Sequence, residues 1–299
     1  MVLELPSLYS LQSAEYFALG AVRLLKACNM VKHLSFGVES QIDKADAPDE
    51  ALLRARLDKG EPYAKALGSD SAPNSLLGTE YIRAIDKLNA GFNTIQVLRS
   101  GAGHDSMEQS HHLSASNIRS MMAQNVDVSA FTGASGEYLD AEKMFLPLLC
   151  QLRKMEQADI ARISQVSEGL EFVIKEASKS AKSLDELILM CKSKRYTYSR
   201  LARIMCCAFL GITGDMTAEA NEYFPYIRVL GVKKDKTELL SRLTASADLP
   251  VCINTADFIN TAPIEAAQTL KKECEFTDLR AALAGAPAAT DFTNGLIVL

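Results

Sequence analysis

The apolar residues change their period part-way along the chain, and that change constrains the fold more than any single motif. Up to about residue 125, short β-rich runs alternate with helical ones; beyond it, helical patterns follow one another with short connections. "MVLEL" ahead of Pro6 reads as a short strand, Gln12 to Val31 as a helix and "HLSFGV" at 33–38 as a second strand, which is the order of a βαβ unit. "LLGTEYIRAIDKLNAG" predicts the next helix, with Gly91 near its end, and "FNTIQVLRS" the next strand. Residues 1–125 are therefore expected to form an α/β layer on a mostly parallel sheet. Residues 126–299 are expected to form a mainly helical domain, from runs such as "EYLDAEKMFLPLLCQLRKM", "LDELILMCKSK" and "TYSRLARIMCCAFLGI". Its tail regains β character in "PYIRVLGV" and "LPVCINT", with further helices predicted near 262–274 and 277–284.

A chain of 299 residues has room for two cores, and no apolar run approaches the length of a membrane span. The start carries Glu4 and Pro6 and no cation before Arg23, which is not the pattern of a secretory signal. A net charge of −5 excludes a globally basic nucleic-acid coat and leaves only local basic patches. The seven cysteines are scattered, with no C-x-x-C pair, and point to reduced, mostly buried thiols and a cytoplasmic setting.

The chemistry concentrates in "VLRSGAGHDSMEQSHHLSASNIRSMM". A strand ends at Arg99, a glycine-bearing loop follows, and Ser114 or Ser116 caps a helix that carries Arg119. The first amides of such a helix lack partners and its dipole end is positive, so Ser-x-Ser followed by Arg suits a polyphosphate; the plain alternative is an ordinary capped helix. Gly37 at a strand end would let a ligand approach the backbone, and Asn74 stands at a helix start. All these residues fall at strand ends or helix starts on the edge where open α/β sheets bind ligands. His104, His111 and His112 lie in the same loop with Asp105 and Glu108, but neither H-x-x-x-H nor H-E-x-x-H occurs, so no metal site is assigned.

In the helical half, "KSKRYTYSRLARIMCC" gathers Lys192, Lys194, Arg195, Arg200 and Arg203 with Tyr196 and Tyr198, and no acid lies between Glu186 and Asp215. Cations neutralise phosphates and tyrosines stack on unpaired bases, so the segment suits RNA. A Thr197-capped helix with a solvated basic face explains it equally well.

Eight ordered segments, among them "VLELPSLYSLQSAEYFALGAVRLL", "LSFGVES", "PNSLLGTEYIRAI", "LSASNIR", "SEGLE" and "KRYTYSRLARI", resemble the bacterial tRNA(Met) cytidine acetate ligases. The resemblance implies a doubly wound HIGH-type nucleotidyltransferase domain joined to a helical tRNA-binding domain. It also implies activation of acetate by ATP to acetyl-adenylate and acetylation of N4 of the wobble cytidine. Gly37, Asn74 and Arg99 match family positions that contact ATP, and Ser114, Ser116 and Arg119 match its phosphate-binding helix start. Mg²⁺ accompanying ATP is a chemical expectation only, since it is commonly held by phosphates and few protein ligands.

The family begins with a strand, a motif of the type V-E-Y-N-P-F-H-N-G-H and a helix before the segment that corresponds to "VLELP". The sequence in hand starts after that motif, so the resemblance implies a partial nucleotidyltransferase domain in which adenylation is very slow or nil. Two rivals follow from the same residues: a non-catalytic RNA-binding remnant, and a nucleotidyltransferase of the same superfamily that acts on a small molecule.

Overall fold

The computed structural model describes residues 1–42, 51, 55–56, 59, 72–98, 115–124, 126–132 and 139–299. Strand β1 (Val2–Leu3), helices α1 (Ser7–Ser10) and α2 (Ala14–Ala27), strand β2 (His33–Val38), helix α3 (Pro73–Lys87) and strand β3 (Asn93–Leu98) make up the first part. β2 and β3 pair in parallel, from His33 opposite Asn93 to Val38 opposite Leu98. The predicted strands and both helices are thus found where the period placed them. α2 and α3 pack on each other, and their apolar stripes close a small core of Ala18, Leu19, Val22, Ala84, Ile85 and Phe92. The β3 side chains Ile95, Val97 and Leu98 remain about half exposed.

Helices α4 (Ala115–Ala123) and α5 (Ser129–Thr132) come next, followed by the helical body: α6 (Phe145–Lys154), α7 (Gln157–Ala161), α8 (Leu170–Ser180), α9 (Leu184–Cys191), α10 (Tyr198–Leu210) and α11 (Gly214–Glu222). Side-chain caps start three of these helices: Ser183, Thr197 and Thr213 accept from the amides of Glu186, Arg200 and Met216. Gly211, at φ 72°, ends α10 in the left-handed region. The body buries Leu148, Leu152, Ile160, Leu187, Leu201 and Ile204 in one continuous core. Cys207 is fully buried there, and burial pushes its thiol up to about 12.

The chain ends with β4 (Ile227–Val232), α12 (Glu238–Ser246), β5 (Val251–Cys252), α13 (Thr255–Thr261), α14 (Ile264–Ala284), α15 (Thr290–Thr293) and β6 (Ile297–Val298). The two helices predicted near 262–274 and 277–284 are one, because no glycine or proline interrupts the sequence between Ile264 and Ala284. The architecture is α/β, a parallel-sheet layer followed by a mainly helical body. No helix among the described residues is long and apolar enough to cross a membrane.

One expectation is overturned. β1 does not open a βαβ unit with β2; it runs antiparallel to β4, with Val2 opposite Gly231 and Leu3 opposite Val229. The reason is electrostatic and steric. Arg228 on β4 is buried, and its guanidinium donates to Glu4 at 2.7 Å and to Asp291 at 2.6 Å, so the first strand brings a carboxylate that a buried cation requires. Tyr9 then anchors α1 to the body, its hydroxyl donating to the carbonyls of Ala220 and Tyr223 and its ring stacking on Phe224 at 4.7 Å. Gly20 on α2 gives that ring its place, since a Cβ there would lie 2.7 Å from Tyr9 Cδ1.

Candidate functional site

The carboxyl end of β2 and the start of α3 meet at a cavity of about 360 Å³. Among the described residues it is lined by Phe36, Gly37, Asn74, Leu77, Gly78 and Tyr81. Strand direction explains the meeting: in a parallel pair with a crossover helix, the ends of the strands and the first turn of the helix share one edge. Pro73 opens the helix at its first position, which places Asn74 in that turn. Gly78 allows α3 to lie close to β2; a Cβ there would meet Phe36 at 2.8 Å and Ile42 at 2.9 Å. The Phe36 and Tyr81 rings lie 5.4 Å apart, so one wall of the cavity is aromatic.

The loop after β2 is held from two sides. Gln96 on β3 accepts from the Ile42 amide and donates to the Ile42 carbonyl, both at 2.8 Å. Glu39 caps α3, its carboxylate accepting from the Asn74 and Ser75 backbone and side chains. Burial alone would raise the Glu39 pKa, but these hydrogen bonds outweigh it and lower it to about 2.

The structure therefore brings Gly37 and Asn74 to one cavity. Arg99 and Ser114 lie outside the described residues, as do His104, His111 and His112. Ser116 falls in the first turn of α4. Arg119 is exposed on the same helix and is not among the described residues that line the cavity. No group of histidines, cysteines and carboxylates that could hold a metal ion occurs among the described residues.

The basic segment divides into an outer and an inner set. Lys192, Lys194 and Tyr198 are exposed, with the Tyr198 hydroxyl donating to Asp185 at 2.9 Å. Tyr196 is instead 6% exposed, and its hydroxyl donates to the Ser167 carbonyl at 2.5 Å. Its ring is not open to a base, because the Arg200 guanidinium lies over it, 4.5 Å from the centroid. Arg200 also donates to the Gln165 carbonyl at 3.1 Å, so Tyr196 and Arg200 fasten α10 to the turn before α8. Arg203 is half buried with its Nε unpartnered, and burial lowers its pKa, as it does for Arg200. Arg195 pairs with Glu168. Glu168 and Asp185 thus join a patch that looked free of acids along the sequence.

Known proteins resemble this chain over most of its length. The model of the HIGH Nucleotidyl Transferase family matches residues 1–291. A tRNA(Met) cytidine acetate ligase of Clostridium kluyveri is 32% identical over 84% of this chain and 73% of its own length. Another, of Acetivibrio thermocellus, is 28% identical over 100% of this chain and 84% of its own. The chain belongs to the tRNA(Met) cytidine acetate ligase family of HIGH nucleotidyl transferases. Crystal structures of Thermotoga maritima TmcAL, one bound with alpha-thio ATP and one apo, share the fold with TM-scores of 0.86 and 0.88. Each is 23% identical and covers 100% of this chain and 84% of its own.

In this acetate ligase homologue, sequence reasoning named Gly37 and Asn74 and passed over Phe36, Tyr81, Ser75 and Glu39. The aromatic pair reads as core in "SFGV" and "TEYIRAI", and nothing along the chain links Glu39 to a helix that starts 34 residues later. The acid that follows the strand in "FGVES" was the available signal.

Proposed function

We propose that the cavity between β2 and α3 holds the nucleoside part of ATP and that the chain serves ATP-dependent acetylation of tRNA(Met). The observation that carries this reading is the meeting of Gly37, Asn74 and an aromatic wall at the carboxyl edge of a parallel strand pair, in a chain that belongs to this family. In the reaction an acetate oxygen attacks the α-phosphorus of ATP, pyrophosphate departs with the bonding electrons, and acetyl-adenylate remains. The N4 amine of the wobble cytidine then attacks the acetyl carbonyl, AMP leaves, and the amine loses a proton.

Arg99, Ser114, Ser116 and Arg119 are proposed to face the phosphates, where cations and helix amides would stabilise charge on departing pyrophosphate. Magnesium, where present, would be held chiefly by the phosphates and would neutralise their charge. The two-part division at about residue 125 assigns activation to the first part and tRNA contact to the second, through Lys192, Lys194, Tyr198 and the outer reach of Arg195 and Arg203. The setting proposed is cytoplasmic.

Acetate-dependent exchange of labelled pyrophosphate into ATP tests the first half-reaction, and N4-acetylcytidine in elongator tRNA(Met), read by mass spectrometry, tests the second. Exchange that needs acetate supports the proposal. Exchange driven by another acid or a phosphate ester overturns the choice of acetate, and tRNA retention with no exchange at all leaves an RNA-binding role alone.

A further inference from the structure

Glu39 does more than cap a helix. Its Oε1 accepts from Asn74 Nδ2 at 2.5 Å and from the Asn74 amide at 3.4 Å, while Oε2 accepts from the Ser75 amide at 2.8 Å and the Ser75 hydroxyl at 3.0 Å. The Ser75 hydroxyl oxygen accepts in return from the amides of Glu39 at 3.1 Å and Ser40 at 3.3 Å. The loop after β2 and the first turn of α3 are therefore locked to each other through one carboxylate and one hydroxyl.

Two consequences follow for the cavity beside them. The positive end of α3 already has a resident anion, so a polyphosphate placed there would meet a like charge rather than free amides. The Asn74 side chain is also oriented. An ionised carboxylate only accepts, so only the amino end of the amide can face Glu39, and the carbonyl oxygen Oδ1 is the end left over. No described residue donates to that oxygen, and Asn74 lines the cavity.

We propose that Glu39 is a positioning residue for nucleotide selection: it holds Asn74 with Oδ1 turned away from it, so that the cavity presents an acceptor to a donor group of the nucleoside. The donor is the exocyclic amino group of adenine or a ribose hydroxyl, and the phosphates leave toward another wall. The proposal rests on the reading of this cavity as the ATP site and deepens it. A structural cap would support all nucleotides equally, whereas an oriented acceptor discriminates among them.

The test is calorimetric titration of the full chain with ATP, inosine triphosphate and 2′,3′-dideoxy-ATP. Inosine triphosphate turns the amino donor into an oxygen, and the dideoxy analogue lacks both hydroxyls. One of the two is expected to bind about tenfold more weakly than ATP, the cost of an unmet acceptor, and which one identifies the donor. In Glu39→Gln that ratio should fall to about threefold or less, because an amide at 39 lets Asn74 turn either end outward. Equal weakening of ATP and both analogues in the variant would show a structural cap only and overturn the proposal. A wild-type chain that binds ATP without discriminating overturns the proposal and spares the site, while a chain that binds no nucleotide overturns both. Hydrogen exchange of the Asn74 side-chain amide in the wild-type protein needs no variant: slow exchange is expected, and exchange at the rate of a free amide would overturn the lock.

Discussion

Two glutamates each hold the start of a helix distant in sequence, and the protein treats them in opposite ways. At the cleft, Glu39 is exposed; its slight burial is outweighed by the hydrogen bonds from Asn74 and Ser75, which lower its pKa to about 2. In the body, Glu273 on α14 is 5% exposed and accepts from the Leu8 amide and from Ser7 at the start of α1. Burial dominates there, the charge of Glu4 adds to it, and the pKa rises to about 7. Similar donors thus give opposite shifts, because water solvates one carboxylate and not the other. The cleft is held at its rim by charge, and the body is held by burial and carries its charges at a cost.

That contrast breaks first at Arg228. Its guanidinium is the partner of both Glu4 and Asp291. Arg228→Ala would leave two carboxylates together in a closed site, and breaking a buried pair in this way costs about 3–5 kcal/mol. Urea denaturation should show the loss. A change below about 1 kcal/mol, the range of exposed ion pairs, would mean that the body tolerates charge as the rim does.

Glu273 comes next and sets the sign of a pH dependence. Its folded pKa is above its unfolded one, so its favourable contribution is whole below about pH 4.5 and is lost as pH rises through about 7. Glu273→Gln should remove that loss and gain on the wild type between about pH 5 and 8, by on the order of 2–3 kcal/mol. Parallel denaturation curves at the two pH values would sink this account. Glu39 has the reverse sign: its contribution is present above about pH 4.5 and disappears as pH falls toward 2. Its exposure to solvent keeps that contribution small.

These two carboxylates also mark what could be read from the sequence. Period and caps located β2, α2, α3 and α10, because those signals are local: Thr197 lies three residues from the amide it caps and Gly211 directly follows the helix it ends. The partner of β1 could not be read, since two residues carry no pairing information and the deciding cation, Arg228, sits within an apolar run. The burial of Tyr196 is illegible for a similar reason. A tyrosine among lysines looks exposed, and only the fold brings Ser167 beneath its hydroxyl and Arg200 over its ring. Gly37 and Asn74 were legible as ends of elements, but the carboxylate between them was not.

Ser75 sharpens the cleft side of the comparison. It is buried and exchanges hydrogen bonds with Glu39, so Ser75→Ala should cost about 1 kcal/mol, the usual net value of a lost hydrogen bond. Hydrogen exchange should quicken in the first turn of α3 while the core of α10 stays protected. Equal quickening in both would join the cleft and the body into one unit and remove the contrast.

The smallest effect belongs to the patch on the body that remains solvated. Lys192 and Lys194 are exposed, whereas Arg200 serves the fold through Tyr196 and Gln165. Replacing Arg200 would therefore confuse stability with binding, and the informative variant is Lys192→Ala with Lys194→Ala. If both lysines meet tRNA phosphates, the dependence of log affinity on log salt should flatten by about 1.4–1.8 while the denaturation midpoint stays in place. An unchanged slope would return the pair to an ordinary solvated face and leave tRNA contact to other residues. A shifted midpoint would show that even these exposed cations support the body, which on the present contrast they should not.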